Sequence, residues 1–266
     1  ETSGMYDRYN IKPYNPDELA RSKGGLSIYQ EMREDETVKA ALTLKKFGAI
    51  SSGWEIVPYS NDPEDIEAAK FVDDNLRNHL YCNFEDKQLD ILSAIDYGFS
   101  CTEMIFKESN GRIWLSDLKT RAPHTFEFQT DNSGNLKEGG LKQWTRIGLV
   151  PLPRYKFIIY SYQKEFGNIY GKSDLRSIYR AYWSKDVILK FMNMYLERWA
   201  SPTPIAYYDT SVPVAIRTDI LRLLDSIQNR TSLVFPKGVE VKTLEPGGKG
   251  ESSFINAIEL YNKLIV

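Results

Sequence analysis

One stretch constrains this chain more than any other: Tyr170 to Pro204, YGKSDLRSIYRAYWSKDVILKFMNMYLERWASPTP. The pattern predicts a single long helix over 173–200. Ser173 brings a hydroxyl that accepts from a first-turn amide, the role of an N-cap. Asp174 complements the positive end of the helix dipole. Ser201-Pro202-Thr203-Pro204 ends the helix, because each proline removes an amide donor and steers the residue before it away from helical angles. About 27 residues rising about 1.5 Å each make a rod of roughly 40 Å. Its apolar residues (Leu175, Ile178, Tyr179, Tyr182, Trp183, Val187, Ile188, Phe191, Met192, Tyr195, Leu196, Trp199) cover more than one stripe. A single packing partner needs only one apolar face. The rod is therefore expected to touch neighbours on two sides, with Tyr182, Trp183, Phe191, Tyr195 and Trp199 as the packing positions. A helix standing among copies of itself in a ring meets that requirement.

The rest of the chain is ordinary in bulk. Its 266 residues, 42% hydrophobic and 26% charged, fall in the soluble globular range. A formal charge of −2 gives no overall attraction to nucleic acid. Charge is uneven, however. Ser60 to Asn110 holds twelve acidic side chains against four basic ones, net −8, the composition of a solvated outer face. Cys82 and Cys101 are too few for a disulfide framework and lack metal-site spacing, so reduced thiols are expected. No apolar run approaches the ~18 residues of a membrane span, and the N-terminus has no signal-peptide pattern. Phe254, Ile255, Ile258, Tyr261, Leu264 and Ile265 start a helical periodicity that runs to Val266 with no terminating Gly, Asn or Pro. The chain reads as a piece of a longer polypeptide.

Residues 1–25 read as an extended arm, 26–33 as a short helix, and 35–51 as a helix capped by Asp35 with Val38, Leu42, Leu44 and Ile50 toward a core. Alternation predicts a strand over 54–59. Asp62-Pro63 starts a helix to about 80, and another follows over 84–97. Strands are expected at 101–107 and 112–118, joined by Asn110-Gly111, a strong hairpin signal. Others are expected at 124–129, 136–146 and 155–161. After the long helix come a strand at 205–208, an amphipathic helix over 214–228, strands at 232–235 and 239–244, and a Gly-rich joint to the last helix. The class is α+β.

Chemistry is sparse. His79 and His124 stand far from other candidate ligands, so no metal centre is expected. Glu85, Asp86 and Asp90 share a helix face, which reads as solvated rather than magnesium-binding. Gly167-Asn168-Ile169-Tyr170-Gly171-Lys172-Ser173 imitates a phosphate loop between strand and helix. The true motif needs four residues between its first Gly and Gly-Lys-Ser, so that backbone amides wrap the phosphates. Here there are three, and Phe166 takes the required place. A turn and a helix cap are expected instead, with no catalytic residue and no cofactor.

Several patterns in order resemble tailed-phage portal proteins, most closely the Mu-like portal family. They are Tyr29-x-x-Met32 with Val38 and Leu42, Gly53-Trp54-Glu55-Ile56-Val57-Pro58, and Ala94-Ile95-Asp96-Tyr97-Gly98-Phe99-Ser100-Cys101-Thr102-Glu103 ahead of the Asn-Gly hairpin. Tyr170-Gly171-Lys172-Ser173-x-Leu175, Leu196-Glu197-Arg198-x-x-x-Pro202 and Phe235-Pro236-Lys237-Gly238-Val239-Glu240 follow. The resemblance implies a portal-type α+β fold. Its parts are a wing over 1–172 with its arm at 1–25, a first stem helix over 173–200, a clip over 201–246, and the start of a second stem helix over 247–266. The family's tunnel loop and crown are not in this sequence. The resemblance also implies a homo-oligomeric ring, usually of twelve subunits, at one capsid vertex of the virion. Double-stranded DNA passes through it, and its partners are the terminase large subunit, head-tail adaptor or neck proteins and the major capsid protein, with no membrane. On the rod, Asp186, Lys190, Asn193 and Glu197 form one polar stripe by three-and-four spacing, and Arg176 and Arg180 another. Channel lining, inter-subunit pairing and solvation all remain open for them. A conduit should avoid tight phosphate binding, since each neutralised phosphate adds affinity, and the lack of a basic patch agrees. A nucleotide- or magnesium-dependent DNA-processing enzyme and another head-tail adaptor are the alternatives.

Overall fold

In the computed structural model of the chain, the described residues are 4–7, 10–13, 17, 19, 25–131, 134–200, 204–208, 213–225, 239–243 and 250–266. They form two compact units, Glu1–Arg180 with Ile265–Val266, and Ala181–Leu264.

The first unit begins with an antiparallel pair, β1 (Gly4–Asp7) and β2 (Asn10–Pro13), within the segment read as an arm. Helices α1 (Ser27–Met32) and α2 (Glu36–Ile50) follow. Asp35 caps α2 as expected, its carboxylate accepting from the amides of Thr37 (2.9 Å) and Val38 (3.1 Å). Val38 and Leu42 are buried, but Leu44 is 75% exposed. At about 100° per residue Leu44 lies some 200° beyond Leu42, on the opposite side of the helix. Helix α3 (Pro63–Asp74) starts at its proline and widens into a π-helical turn over Asn75–His79. At that turn the Asn75 amide both donates to the Leu115 carbonyl (2.8 Å) and accepts from the Leu115 amide (2.9 Å).

Two expectations fail here. The strand expected over 54–59 is irregular backbone. Side chains fix it instead: Trp54 packs edge-on against Phe84 (5.0 Å), donates from Nε1 to Glu85 (3.0 Å) and lies beneath the Arg77 guanidinium (4.3 Å). The helix expected over 84–97 is two helices, α4 (Phe84–Ile91) and α5 (Ala94–Tyr97). The break follows Ile91, whose carbonyl accepts from the Ser100 hydroxyl (2.8 Å).

Strands β3 (Phe99–Ser109) and β4 (Arg112–Arg121) form the hairpin read from Asn110-Gly111. Those two residues have φ of 55° and 70°, the consecutive left-handed pair of a type I′ turn. Strands β5 (Phe126–Thr130), β6 (Leu136–Thr145) and β7 (Gly148–Pro151) make one antiparallel sheet in the order β5-β6-β7. Strand β8 (Phe157–Ser161) returns to pair with β3, giving β4-β3-β8. Among the described residues, Phe99, Cys101, Phe126, Phe128, Leu141, Phe157 and Ile169 pack into one buried apolar cluster. The Phe99, Phe128 and Tyr170 rings meet edge to face at 5.0–5.4 Å, a geometry aromatic quadrupoles favour.

Helix α6 (Leu175–Ala200) is the predicted long helix, and the chain passes from the first unit to the second within it. The second unit adds β9 (Pro204–Tyr208), α7 (Val214–Asp225), β10 (Val239–Thr243) and α8 (Gly250–Ile265). Strands β9 and β10 pair antiparallel with each other, from Pro204↔Thr243 to Tyr208↔Val239. Tyr195 of α6 rests on Phe254 of α8 at 5.6 Å between ring centroids. The strand expected at 232–235 lies outside the described residues.

Candidate functional site

At the root of α6, charged side chains gather around one fully buried carboxylate, that of Asp96. Ser173 accepts from the Leu175 amide (3.1 Å), so it caps the helix as its position predicts, and its hydroxyl donates onward to the Asp96 carbonyl (2.5 Å). The Asp174 amide donates to the Ile95 carbonyl (3.1 Å). The Asp174 carboxylate does more than face a helix dipole. It accepts from Lys45 and from the Tyr162 hydroxyl (3.3 Å), and the Lys45 ammonium is held above its usual range by that bond to Asp174. Asp96, fully buried, receives Lys46 (2.7 Å) and Arg33 (2.9 Å) on one carboxylate oxygen. Burial pushes its pKa up, and the two cations pull it back only in part. Arg33 also donates to the Tyr97 hydroxyl (2.7 Å). On the other side Asp17 accepts from the buried Tyr29 hydroxyl and pairs with Arg176 (3.5 Å). Arg176, read from the sequence as a channel or inter-subunit position, therefore holds the helix root to its own subunit.

Two of the sequence motifs meet at this point. Gly98 (φ 90°) closes α5, and Gly171 (φ 60°) closes the turn before α6. Their backbones touch: a Cβ on Gly171 would stand 2.1 Å from the Gly98 carbonyl oxygen and 2.4 Å from that of Tyr162. The turn itself is no phosphate loop. Its amides are used internally, Asn168 to the Glu165 carbonyl (2.8 Å), Tyr170 to the Asn168 side chain (3.0 Å), Gly171 to the Asn168 carbonyl (3.2 Å) and Lys172 to the Tyr162 carbonyl (2.9 Å). A phosphate cradle needs those donors pointing at the ligand. The Lys172 ammonium lies 3.9 Å from Glu165.

The remaining part of α6 carries the other candidate residues. Tyr182 and Tyr195 are half-buried, while Trp183 (55%), Phe191 (56%) and Met194 (63%) are exposed. Leu189 and Leu196 are exposed as well. At about 100° per residue, Trp183, Phe191 and Met194 fall within about 80° of one another, and Leu189 and Leu196 within about 20° on another side. Asp186, Lys190, Asn193 and Glu197 occupy the arc between those two apolar stripes. Lys190 pairs with Asp186 (2.5 Å), and Lys190, Asn193, Glu197 and Arg180 are exposed. The Trp199 side chain lies outside the described residues. Sequence reading missed Met194 and Leu189, though each stands at helical spacing from an aromatic or leucine already named.

Among the described residues no group of three His, Cys, Asp or Glu side chains is placed to hold a metal. Glu85 accepts from Trp54, and His79 stacks on Trp114 at 3.8 Å. No described helix is long and apolar enough to cross a membrane.

This fold, two small antiparallel sheets with helices and a long helix leading to a second α/β unit, is similar to solved particle-neck proteins. A chain in the neck of an empty GTA particle, computed with C6 symmetry, matches with a TM-score of 0.66 and 11% identity over 94% of this chain and 68% of that one. A chain in the virion of a native gene transfer agent particle matches at 0.65 and 9% over 95% and 69%. A chain in the neck of a native GTA particle, computed with C12 symmetry, matches at 0.53 and 10% over 73% and 57%. At such identities the likeness shows the fold. The family model for the portal protein of Mu bacteriophage matches residues 26–266, and the chain belongs to that family.

Proposed function

We propose that this chain is one subunit of a closed portal ring at a capsid vertex, through which double-stranded DNA enters and leaves the particle. The family match over 26–266 carries the reading. Helix α6 supports it, because two exposed apolar stripes flank a polar one on a helix that already has a packed face. In a ring each stripe meets a different neighbour. The symmetric particle necks that share the fold support rotational symmetry, and we assign twelve subunits. Residues 1–172 act as the wing with its arm at 1–25, 173–200 as the first stem helix, 201–246 as the clip and 247–266 as the start of the second stem helix. The stripe of Asp186, Lys190, Asn193 and Glu197 faces the channel. The ring works as a passive conduit rather than an enzyme, and it docks the terminase large subunit, neck proteins and the major capsid protein in the virion. Electron microscopy of the full-length protein tests this: closed rings with a central hole are expected, and a protein that stays monomeric at micromolar concentration sinks the reading.

A further inference from the structure

Charge falls along the first unit in two blocks of opposite sign. Residues 62–74, the α3 segment, hold six acidic side chains and one basic. Residues 136–164, from β6 through the turn after β8, hold six basic and one acidic. Each block also exposes apolar side chains. Between α3 and the start of β4 lies an open groove of about 440 Å³, lined by Ala68, Phe71 and Ile113 together with Glu64, Glu67 and Arg112. Ile113 is 68% exposed. Further along α3, Asp73 pairs with Arg77 (2.9 Å) and Asp74 faces His79 (3.5 Å), whereas Glu64 and Glu67 form no ion pair among the described residues. Arg112 lies over the Phe71 ring (5.7 Å), which leaves the groove with two carboxylates against one guanidinium.

The β6–β7 turn carries the opposite surface. Thr145 fixes it, its hydroxyl donating to the Gly148 carbonyl (2.9 Å) and accepting from the Ile147 amide (3.3 Å). Turn tips ordinarily hold Asn, Asp, Gly or Ser. Here Trp144 (56% exposed), Arg146 and Ile147 (90% exposed) stand in solvent instead. Trp and Arg are among the side chains most enriched at the energetic centres of interfaces. Turn and groove sit apart on one compact unit. Arg112 begins β4 and Arg121 ends it, roughly 30 Å away at the rise of a strand. The turn is tied beside that far end, where Gln143 Nε2 donates to Thr125 (3.2 Å). In a homo-oligomer every copy brings both surfaces, and a contact between unlike patches closes a ring when its rotation divides a full turn. We propose that the Trp144–Ile147 turn of each subunit docks in the Glu64–Glu67–Phe71–Ile113 groove of the next, with Arg146 meeting the two glutamates. This rests on the ring reading above, and the opposite charge of the two blocks is what selects a second copy as the occupant.

The test is charge reversal, read by sedimentation of the full-length protein. Arg146→Glu alone, and Glu64→Lys with Glu67→Lys, should each weaken association roughly tenfold, because like charges then face each other. All three substitutions in one chain restore opposite signs and should recover most of the wild-type association, a rescue that misfolding does not produce. Cross-linking is the second arm, in a Cys82→Ser background with Ile147→Cys and Ile113→Cys combined in one chain and a short bis-maleimide added. Buried Cys101 stays silent. A ladder of multimers on a denaturing gel is expected, with neither single variant giving one. Closed rings by microscopy with unchanged association of the charge variants, with no recovery in the triple variant, or with no ladder overturn the docking and leave the portal reading intact. Loss of DNA retention in Arg146→Glu at unchanged association assigns the turn to a polyanion and overturns it too. Absence of any ring in the wild type overturns both.

Discussion

Single residues set the local energetics. Asp117 and Lys87 form a buried pair at 2.7 Å. Burial pulls the Asp117 carboxyl upward, but the Lys87 ammonium, the Leu118 amide and Lys119 outweigh it and hold it below the usual carboxylate range. A carboxyl lowered in the folded state contributes stability above its unfolded pKa, near 3.9, and that contribution is lost as pH falls through the folded value. Asp117→Asn should therefore cost about 3 kcal/mol at pH 7. The gap from wild type should narrow steadily below about pH 4, read by thermal unfolding across pH. At Gly171 the conflict is steric. Gly171→Ala drives a methyl into two carbonyl oxygens at a positive φ, and a loss of roughly 2–4 kcal/mol is expected in denaturant titration. The two thiols should also separate. Burial pushes Cys101 up to about 12, so maleimide should label exposed Cys82 and leave Cys101 unmodified until the protein unfolds.

At the scale of elements, α6 shows what a sequence pattern conveys and what it leaves out. Its cap, its length and its stop are local properties, and Ser173, the apolar residues recurring from Leu175 to Trp199 and the Pro202/Pro204 pair carry them. The Ser173 hydroxyl, however, also ties the helix to the Asp96 carbonyl across 77 residues of sequence. Ser173→Ala should thus cost more than the ~1 kcal/mol of an N-cap alone. The measurement is its unfolding free energy beside that of Ser173→Asp, which restores the cap and not the tie; equal values for the two variants would refute the double role. The strand read at 54–59 failed for a related reason. Alternation describes which side chains face inward, while a strand also needs a neighbour to receive its backbone bonds, and Trp54 instead settles on Phe84 and Glu85. The 84–97 helix broke because Ser100, outside the predicted span, takes the Ile91 carbonyl.

For the molecule as a whole, the apolar excess of α6 becomes a surface. Trp183→Asp should remove ring formation while the subunit still folds, because Trp183 is more than half exposed in the single chain. Circular dichroism unchanged from wild type together with a monomeric sedimentation profile is the expected pair of results; intact rings from this variant would mean that α6 does not pack against a neighbour along that stripe.

Features that depend on neighbours within a few residues were legible in the chain: the caps at Asp35 and Ser173, the Asn110-Gly111 hairpin, the proline-bounded helices and the spacing that denies a phosphate loop. The family resemblance was equally legible, since its motifs hold their order along the chain. It took the folded chain to bring Gly98 against Gly171, to gather Arg33 and Lys46 on Asp96, and to engage Arg176 with Asp17. The reason is physical. Local preferences follow from backbone sterics and nearby hydrogen bonds, whereas these meetings join segments tens of residues apart. They become favourable only once sheets and helices have closed the distance.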